Sequence, residues 1–152
     1  MMRVRAARPD DDAFVVGLVP RFAEHGPHPG HSRDEVIGGT SRVLRDALHA
    51  PAADAFFAIA EDENAEPLGF VYAVSADDFF TGRRYAHVSE IAVVRSGEGI
   101  GGALMAAAES WARDRGYPQI TLNTVEANDG ARRMYERLGY APAYRQLYRR
   151  LD

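Results

Sequence analysis

The amino-acid sequence predicts a mixed α/β fold, with a mostly antiparallel central sheet, an embedded βαβ unit and helices on both faces. Two observations support this fold class. The first part of the chain has two stretches of helical spacing, after which the pattern changes to short apolar runs typical of strands. The last part alternates between strands and helices, with glycines at the first change from strand to helix. A length of 152 residues fits one domain, and we expect residues 1–152 to form it.

The N-terminal part predicts one short strand and a first helix. Residues 2–7 alternate in polarity, as a half-buried strand does. Pro9 suits the first position of a helix, and residues 10–12 are three aspartates, which the helix dipole favours in a first turn. Apolar residues at helical spacing continue this helix to Phe22.

A loop separates this helix from a second one. Residues 25–31 combine prolines and glycines with three histidines, and they predict a loop because proline and glycine interrupt regular structure. Ser32 and Glu35 have the spacing of a capping box at a helix start. Residues 36–48 then carry a helical apolar stripe, which the glycine pair at 38–39 weakens.

The remainder of the chain predicts a meander of strands followed by the βαβ unit. The meander consists of three apolar runs joined by polar turns, at residues 55–60, 68–75 and 85–94. After it we expect a helix, a strand, a second helix and a last strand, at residues 100–115, 119–125, 128–138 and 144–151.

Composition excludes several classes of protein. There are no cysteines, so disulfides, thiolate metal sites and cysteine nucleophiles are excluded. The net charge of −4 argues against a nucleic-acid binder, which usually has a basic excess. No apolar stretch approaches the roughly 20 residues that span a bilayer. The N-terminus lacks the pattern of a signal peptide, and we therefore expect a cytoplasmic protein that binds neither membrane nor nucleic acid.

The glycine-rich turn before the helix at residue 100 is the strongest functional signal. A strand leads into Gly97, Gly99, Gly101 and Gly102, and a helix follows at once. Glycines let the backbone turn tightly and approach a ligand, and free amides at a helix N-terminus attract an anion. Arg95 lies at the rim, where it could pair with a phosphate. The pattern indicates an anion cradle, although a tight strand-to-helix turn would also use some of these glycines.

A dinucleotide-binding fold is one alternative for this turn. Residues 97–102 satisfy the pattern G-x-G-x-x-G. That pattern normally follows the first strand of a parallel sheet and precedes an acidic residue by about 20 positions. Here it comes late in the chain, and residues 120–123 contain no acid, so the pattern does not favour NAD or FAD.

The sequence resembles the GNAT superfamily of N-acetyltransferases. The resemblance depends on the strand at 88–93, the turn at 97–101, and the block 128–140, which is similar to N-x-x-A-x-x-L-Y-E-x-L-G-F/Y. The order of predicted elements also matches over nearly the whole chain. Two departures concern the turn: Ser96 stands where the family usually has Arg or Gln, and a shortened loop brings Arg95 one position early.

The resemblance implies acetyl-CoA as the ligand and acetyl donor, with no metal. Backbone groups of Ile91 and Val93 would bind the pantetheine arm. The pyrophosphate would be held by backbone amides of the glycines in the turn, namely Gly97, Gly99, Gly101 and Gly102. The side chain of Asn128 would contact CoA close to the next helix.

Amine acetylation needs a base, an oxyanion donor and a proton donor for the departing thiolate. The resemblance places Tyr135 as that proton donor, although its stripe of apolar neighbours also fits a core tyrosine. We predict Glu90 as the base, on one face with Val88 and Ala92, where partial burial would raise its pKa. A solvated cross-strand charge is the alternative for Glu90, and His87, on the opposite face, ranks second as the base. The Ile91 amide is the natural oxyanion donor.

The histidine-rich loop and three phenylalanines invite further interpretations. His25, His28 and His31 could suggest a metal site, but no carboxylate stands at metal-site spacing, so we expect a loop near the acceptor pocket. Phe22 and His25 are candidates to line that pocket. Phe79 and Phe80 are candidates as well.

The sequence leaves two functions of different classes open. The first is an enzyme that moves an acetyl group from acetyl-CoA to a primary amine by direct attack, and the amine stays unidentified. The second is a non-catalytic module that binds or senses acyl-CoA. The basic, aromatic tail strand at 144–151 would also permit a homodimer through paired sheet edges.

Overall fold

The computed structural model describes residues 1–26 and 28–152; Pro27, in the predicted loop, lies outside the described residues. Within those residues, five strands form one sheet in sequential order. They are β1 (Arg3–Ala6), β2 (Phe56–Glu61), β3 (Pro67–Asp77), β4 (Arg84–Val93) and β5 (Ile120–Leu122). Neighbours from β1 to β4 are antiparallel, and β5 is parallel to β4.

The helices lie where the apolar spacing predicts them. They are α1 (Asp12–Leu18), α2 (Arg33–His49), α3 (Ile100–Asp114) and α4 (Asp129–Arg137). Short 3-10 turns precede and follow α1 and extend it over much of the predicted range. The Ser32 hydroxyl accepts a hydrogen bond from the Glu35 amide at 3.1 Å, which confirms the predicted cap of α2.

Two apolar layers confirm that helices cover both faces of the sheet. One layer packs α3 and α4 against the sheet, through residues such as Val88, Leu104 and Tyr135. The other packs α1 and α2 against the opposite face, through residues such as Leu44 and Ala92. The parallel pair β4–β5, connected through α3, is the predicted βαβ unit.

A β-bulge interrupts β4 at Ser89. Tyr72 of β3 pairs with Glu90, whereas the next residue, Ala73, pairs with Val88, so Ser89 has no partner on β3. A bulge of this kind inserts one residue, bends the strand and reverses the alternation of everything beyond it. This irregularity decides the geometry of the candidate site.

The predicted strand at residues 144–151 is wrong. The described structure has no regular element after α4, and the side chains of Tyr144, Leu147 and Leu151 are 92%, 85% and 92% exposed. An alternating pattern forms a strand only against a partner, and β5 offers an edge of just three residues. The pairing of two copies through this tail therefore stays a prediction.

The tail nevertheless contacts the histidine-rich loop. The ring of Tyr148 lies against Gly30, where an added Cβ would come within 3.2 Å of the ring.

Among the described residues, no helix combines the length and the apolar character that crossing a bilayer requires.

Candidate active site

The second half of β4 has an unpaired edge. The short strand β5 pairs only with residues 86–88 of β4, and within the described chain no other strand flanks residues 89–93 on that side. We call this segment the free edge. Unpaired backbone groups at such an edge are available to an extended ligand that adds to the sheet.

The bulge decides which backbone groups reach the free edge. The Val94 amide donates to the Leu68 carbonyl at 2.8 Å, so Val94 faces β3. Since backbone groups alternate along a strand, Ile91 and Val93 face away from β3, toward the free edge. Before the bulge, the even-numbered residues face the other way. The Ala86 amide points away from β3 and donates to the Gln119 carbonyl, on the β5 side, at 3.1 Å. The inserted residue thus turns the two predicted pantetheine contacts, Ile91 and Val93, to the open side.

The turn after β4 has the backbone of an anion cradle. Gly97 and Gly99 have φ values of +85° and +76°, which side-chain-bearing residues rarely adopt. Gly99 caps α3, and its carbonyl accepts the Ala103 amide at 3.1 Å. The preceding amides at the start of α3, including those of Gly101 and Gly102, therefore have no partner within the helix. Residues 95–99 of the turn are exposed, whereas Gly101 is buried and Gly102 is half-buried. The front of the turn, with Gly97 and Gly99, is therefore the part that is open to a phosphate.

Gly101, in the last part of the turn, has a packing role that the sequence did not reveal. A Cβ on Gly101 would lie 3.0 Å from Sδ of Met134, and one on Gly102 would lie 3.9 Å from Leu138. Both neighbours belong to α4 or its end. The absence of a side chain at Gly101 lets α3 and α4 approach closely, whereas a Cβ on Gly102 would make only an ordinary van der Waals contact. The close approach brings the helix that carries Tyr135 next to the turn.

Arg95 and Asn128, the two side chains predicted to contact CoA, already have partners within the protein. Arg95 forms an ion pair with Glu98 across the turn, so its guanidinium would have to exchange that partner for a phosphate. Asn128 caps α4, where its Oδ1 accepts the Ala131 amide at 3.1 Å. The amide nitrogen of the Asn128 side chain has no partner among the described residues and can donate to a ligand.

Tyr135 is held firmly by apolar packing. The residue is 8% exposed, and its ring makes an edge contact with the ring of Tyr140 at 5.9 Å between centroids. Burial raises the pKa of Tyr135 to about 12, so it stays a phenol at neutral pH. Its hydroxyl has no partner among the described residues, yet no described side-chain polar atom is both buried and unpaired, so the hydroxyl reaches the surface.

Glu90 is the most perturbed carboxyl group of the site. Desolvation by burial raises its pKa to about 7 from an ordinary value of 4.5. Its side chain lines a cavity of about 390 Å³ beneath α2, which we call the Glu90 cavity. The other lining residues come from α2 and the segments around it and include Phe22, His28, His31, Glu35, Val36, Gly39, Thr40, Arg42, Val43 and Ser89.

The bulge corrects the predicted faces of β4. Glu90 shares the α1–α2 face with Ala92, but Val88 packs in the opposite layer, against α3. Since side chains alternate before the bulge, His87 points away from the Val88 layer and so shares the face of Glu90, contrary to the prediction. His87 is hydrogen-bonded to Thr121 at 2.8 Å, and burial lowers its pKa.

The histidine-rich loop lies beside the Glu90 cavity. His28 is 2.7 Å from the Phe22 carbonyl, and His31 is 3.4 Å from the Glu35 carboxylate. Within residues 1–26 and 28–152, no three potential metal ligands come together. His25 is not among the residues that line the cavity.

The structure overturns the prediction that two aromatic residues of the β3–β4 turn line the pocket. Phe79 and Phe80 are 92% and 81% exposed and contact each other edge to face. Phe22, the third aromatic candidate, does line the Glu90 cavity.

Comparison with known families decides what kind of protein has this arrangement. The sequence model of the family described as "Acetyltransferase (GNAT) family" matches residues 22–140, which include the free edge, the glycine-rich turn and Tyr135. The chain belongs to the GNAT acetyltransferase family. Members of this family take the acetyl group from acetyl-CoA, and at the level of the family this agrees with the predicted donor and the predicted transferase class.

Individual relatives are similar over most of this chain. A mycothiol acetyltransferase of Salinispora tropica is 33% identical over 143 residues, which are 91% of this chain and 44% of that protein. The chain thus spans less than half the length of this relative. A protein described as the uncharacterized N-acetyltransferase YhfO of Bacillus subtilis is 28% identical over 141 residues, 91% of this chain and 89% of its own length.

Solved structures agree on the fold. A putative acetyl transferase from Pyrococcus furiosus superposes with a TM-score of 0.77 at 25% identity, over 99% of this chain and 100% of that one. AAC(6')-Iy bound to a bisubstrate analogue that contains CoA superposes with a TM-score of 0.72 at 19% identity, over 100% and 99% of the two chains. At 19% identity, the similarity to AAC(6')-Iy shows a shared fold and nothing more.

Proposed function

We propose that residues 1–152, as a single domain, transfer the acetyl group of acetyl-CoA directly to a primary amine, with Glu90 as base and Tyr135 as proton donor. The observation that carries the proposal is the free edge of β4. This edge begins at the Ser89 bulge and ends at the glycine-rich turn. Glu90 lies on one side of the sheet and Tyr135 on the other, so a thioester placed along this edge would lie between them.

The chain's own backbone supports the placement of CoA. Ile91 and Val93 would exchange hydrogen bonds with the amides of the pantetheine arm, as a missing strand would. The turn would hold the pyrophosphate on the amides of its four glycines, residues 97–102, aided by the dipole of α3. Arg95 would pair with a phosphate after leaving Glu98, and the Asn128 side-chain amide would donate to the pantetheine.

Glu90 would remove the proton from the incoming amine. A free primary amine is protonated at neutral pH, with a pKa of about 10, and only the neutral form attacks a carbonyl. Because the pKa of Glu90 is about 7, a large share of its carboxyl groups is ionised at neutral pH and can accept that proton, directly or through a water. The Ile91 amide would donate to the carbonyl oxygen as negative charge develops there.

Tyr135 would donate a proton to the departing sulfur. A nitrogen–carbon bond forms, the carbon–sulfur bond breaks, and the thiolate takes the tyrosine proton. The attacking nitrogen then releases its second proton, which restores the phenol of Tyr135. Full transfer from a phenol with a pKa of about 12 to a free thiolate, with a pKa of about 8.5, is unfavourable. The same apolar surroundings raise the pKa of the sulfur leaving group, which narrows that difference and favours donation during bond cleavage.

The test is steady-state kinetics of Tyr135→Phe on an amine panel, with calorimetric titration of CoA and, as a control, NAD. We expect a rate about 10²–10⁴-fold lower than in the wild type and an unchanged Kd for CoA, because only the proton donor is lost. Tyr140→Phe is the matched control. It removes a neighbouring hydroxyl that donates to Glu109 at 2.8 Å, and it should retain turnover.

The outcomes separate the two functions. Undiminished turnover in Tyr135→Phe would overturn the assignment of the proton donor. Tight CoA binding without acetylation of any amine would instead indicate the non-catalytic acyl-CoA module. Absence of CoA binding would refute the proposed use of the free edge and the turn.

A further inference from the structure

The glycine pair in the middle of α2 divides between two sides of the helix. The helix runs unbroken from Arg33 to His49, although glycine disfavours a helix interior. Gly38 is exposed, and a Cβ there would meet nothing within 4 Å. Gly39 lines the Glu90 cavity instead. The two positions are adjacent and chemically identical, but only one of them faces the candidate acceptor site.

Local packing does not explain the absence of a side chain at Gly39. A Cβ at this position would have only Nη2 of Arg42 within 4 Å, at 3.9 Å, and its φ is not positive. An alanine would therefore fit the empty protein and would favour the helix. What glycine does provide is space, because the wall of the Glu90 cavity at this position is formed by the helix backbone alone.

The charges around the cavity are not balanced. Two carboxyl groups, of Glu35 and Glu90, and one guanidinium, of Arg42, line it together with the imidazoles of two histidines, His28 and His31. Glu35 already faces His31 at 3.4 Å, and that contact lowers the pKa of Glu35. Arg42 is exposed at the rim of the cavity, and it forms neither an ion pair nor a hydrogen bond within the described residues. A guanidinium without an internal partner thus faces the same cavity as the proposed base.

The dimensions of the cavity fit a small molecule. A volume of about 390 Å³ is near the lower end of ligand sites. Glu35 and Arg42 stand seven residues apart on α2, or about 10 Å along its axis. Glu90 and Arg42 both line this one cavity, so a ligand with its amine at Glu90 could place another group against Arg42 without leaving the cavity.

We propose that the acceptor is a small primary amine that also carries a carboxylate or phosphate group, which Arg42 binds while Gly39 makes room for the body of the molecule. This inference rests on the proposed acetyl transfer at Glu90. An anionic group would neutralise the positive charge of Arg42 and accept two parallel hydrogen bonds from its guanidinium. A polycationic amine would place a like charge against the guanidinium, which disfavours that class of acceptor.

The first test compares matched amines that differ in the anionic group. β-Alanine is compared with β-alaninamide for the carboxylate, and phosphoethanolamine with ethanolamine for the phosphate. We expect the wild type to have at least about 10-fold higher kcat/KM for one anionic member, and Arg42→Gln to lose that preference through KM, with kcat and CoA binding unchanged. Arg42→Lys should restore part of it. A preference for neutral or cationic amines, or a preference that survives in Arg42→Gln, would overturn the proposal.

A binding measurement keeps this test separate from the proposed function. The same amines are titrated into the complex of protein and CoA, which requires no turnover. Anionic amines should bind the wild type more tightly than Arg42→Gln even if acetyl transfer fails. Equal binding of both members of each pair to the wild type would refute the role of Arg42, whatever the activity.

The glycine pair supplies the second test. Gly39→Ala and Gly38→Ala should both raise the thermal midpoint slightly, because alanine favours a helix interior. Only Gly39→Ala should raise KM for the acceptor, since only it narrows the Glu90 cavity. Equal KM values in the two variants would show that the space over Gly39 is not used.

Discussion

Replacement of Glu90 by glutamine tests the desolvation of the proposed base without any substrate. Burial raises the pKa of this carboxyl to about 7 in the folded protein, whereas an exposed glutamate has a value of 4.5. The folded state therefore binds the proton more tightly than the unfolded state. The stability that this proton contributes is complete below pH 4.5, and it is lost as pH rises to about 7. Glutamine has no such dependence.

The size of the effect follows from the shift. A shift from 4.5 to about 7 would correspond to about 3.4 kcal/mol at roughly 1.4 kcal/mol per unit of pKa. The carboxyl reaches a solvent-accessible cavity, which screens its charge, so we expect about 1–3 kcal/mol. Glu90→Gln should thus gain that much stability relative to the wild type between pH 5 and pH 8.

The assay is urea denaturation of both proteins at the two pH values, with Glu136→Gln as control. Glu136 is an exposed glutamate of α4, and its replacement should change the free energy of unfolding equally at both pH values. A pH-independent difference between Glu90→Gln and the wild type would refute the burial argument. In kinetics, kcat/KM of the wild type should rise with pH through about 7, as the base ionises, and Glu90→Gln should lose that rise.

Two further predictions concern the framework of the site. Gly69→Ala should destabilise the protein by about 1–3 kcal/mol, because the added Cβ would lie 2.7 Å from the Ala92 carbonyl oxygen on β4. Urea denaturation measures this loss, and an unchanged midpoint would contradict the close approach. Asn128→Ser keeps an oxygen that can cap α4 but removes the side-chain amide donor. CoA should therefore bind about 10-fold more weakly, as measured by calorimetry, while the midpoint of thermal unfolding stays nearly constant. An unchanged affinity for CoA would show that Asn128 is not part of the binding site.

Much of the fold follows from patterns of short range. The helix cap at Ser32, the helical spacing of α3 and the glycines at positive φ each depend on residues within a few positions of one another. Helix bounds were accordingly predicted to within a few residues. The order of strand, glycine-rich turn and helix, together with the block around Tyr135, was also sufficient to indicate the family.

The errors concern contacts between distant segments. The tail at residues 144–151 has the alternation of a strand, but no edge of sufficient length is available to pair with it. The faces of β4 were predicted by simple alternation, which places Glu90 with Val88. The inserted Ser89 separates these two residues onto opposite faces, and its position is visible only from the pairing of β4 with β3.

The amino-acid sequence was therefore enough for the order of elements up to α4, the glycine-rich turn and the family, because caps, turns and periodicity are consequences of local chemistry. The three-dimensional arrangement was needed for the free edge at Ile91 and Val93 and for the cavity that joins Glu90 to Arg42. Both arise where β3, β5 and α2 meet β4 from distant parts of the chain. The burial and the electrostatic environment of a residue in such a place depend on neighbours that are distant in sequence, so a local sequence pattern does not predict them.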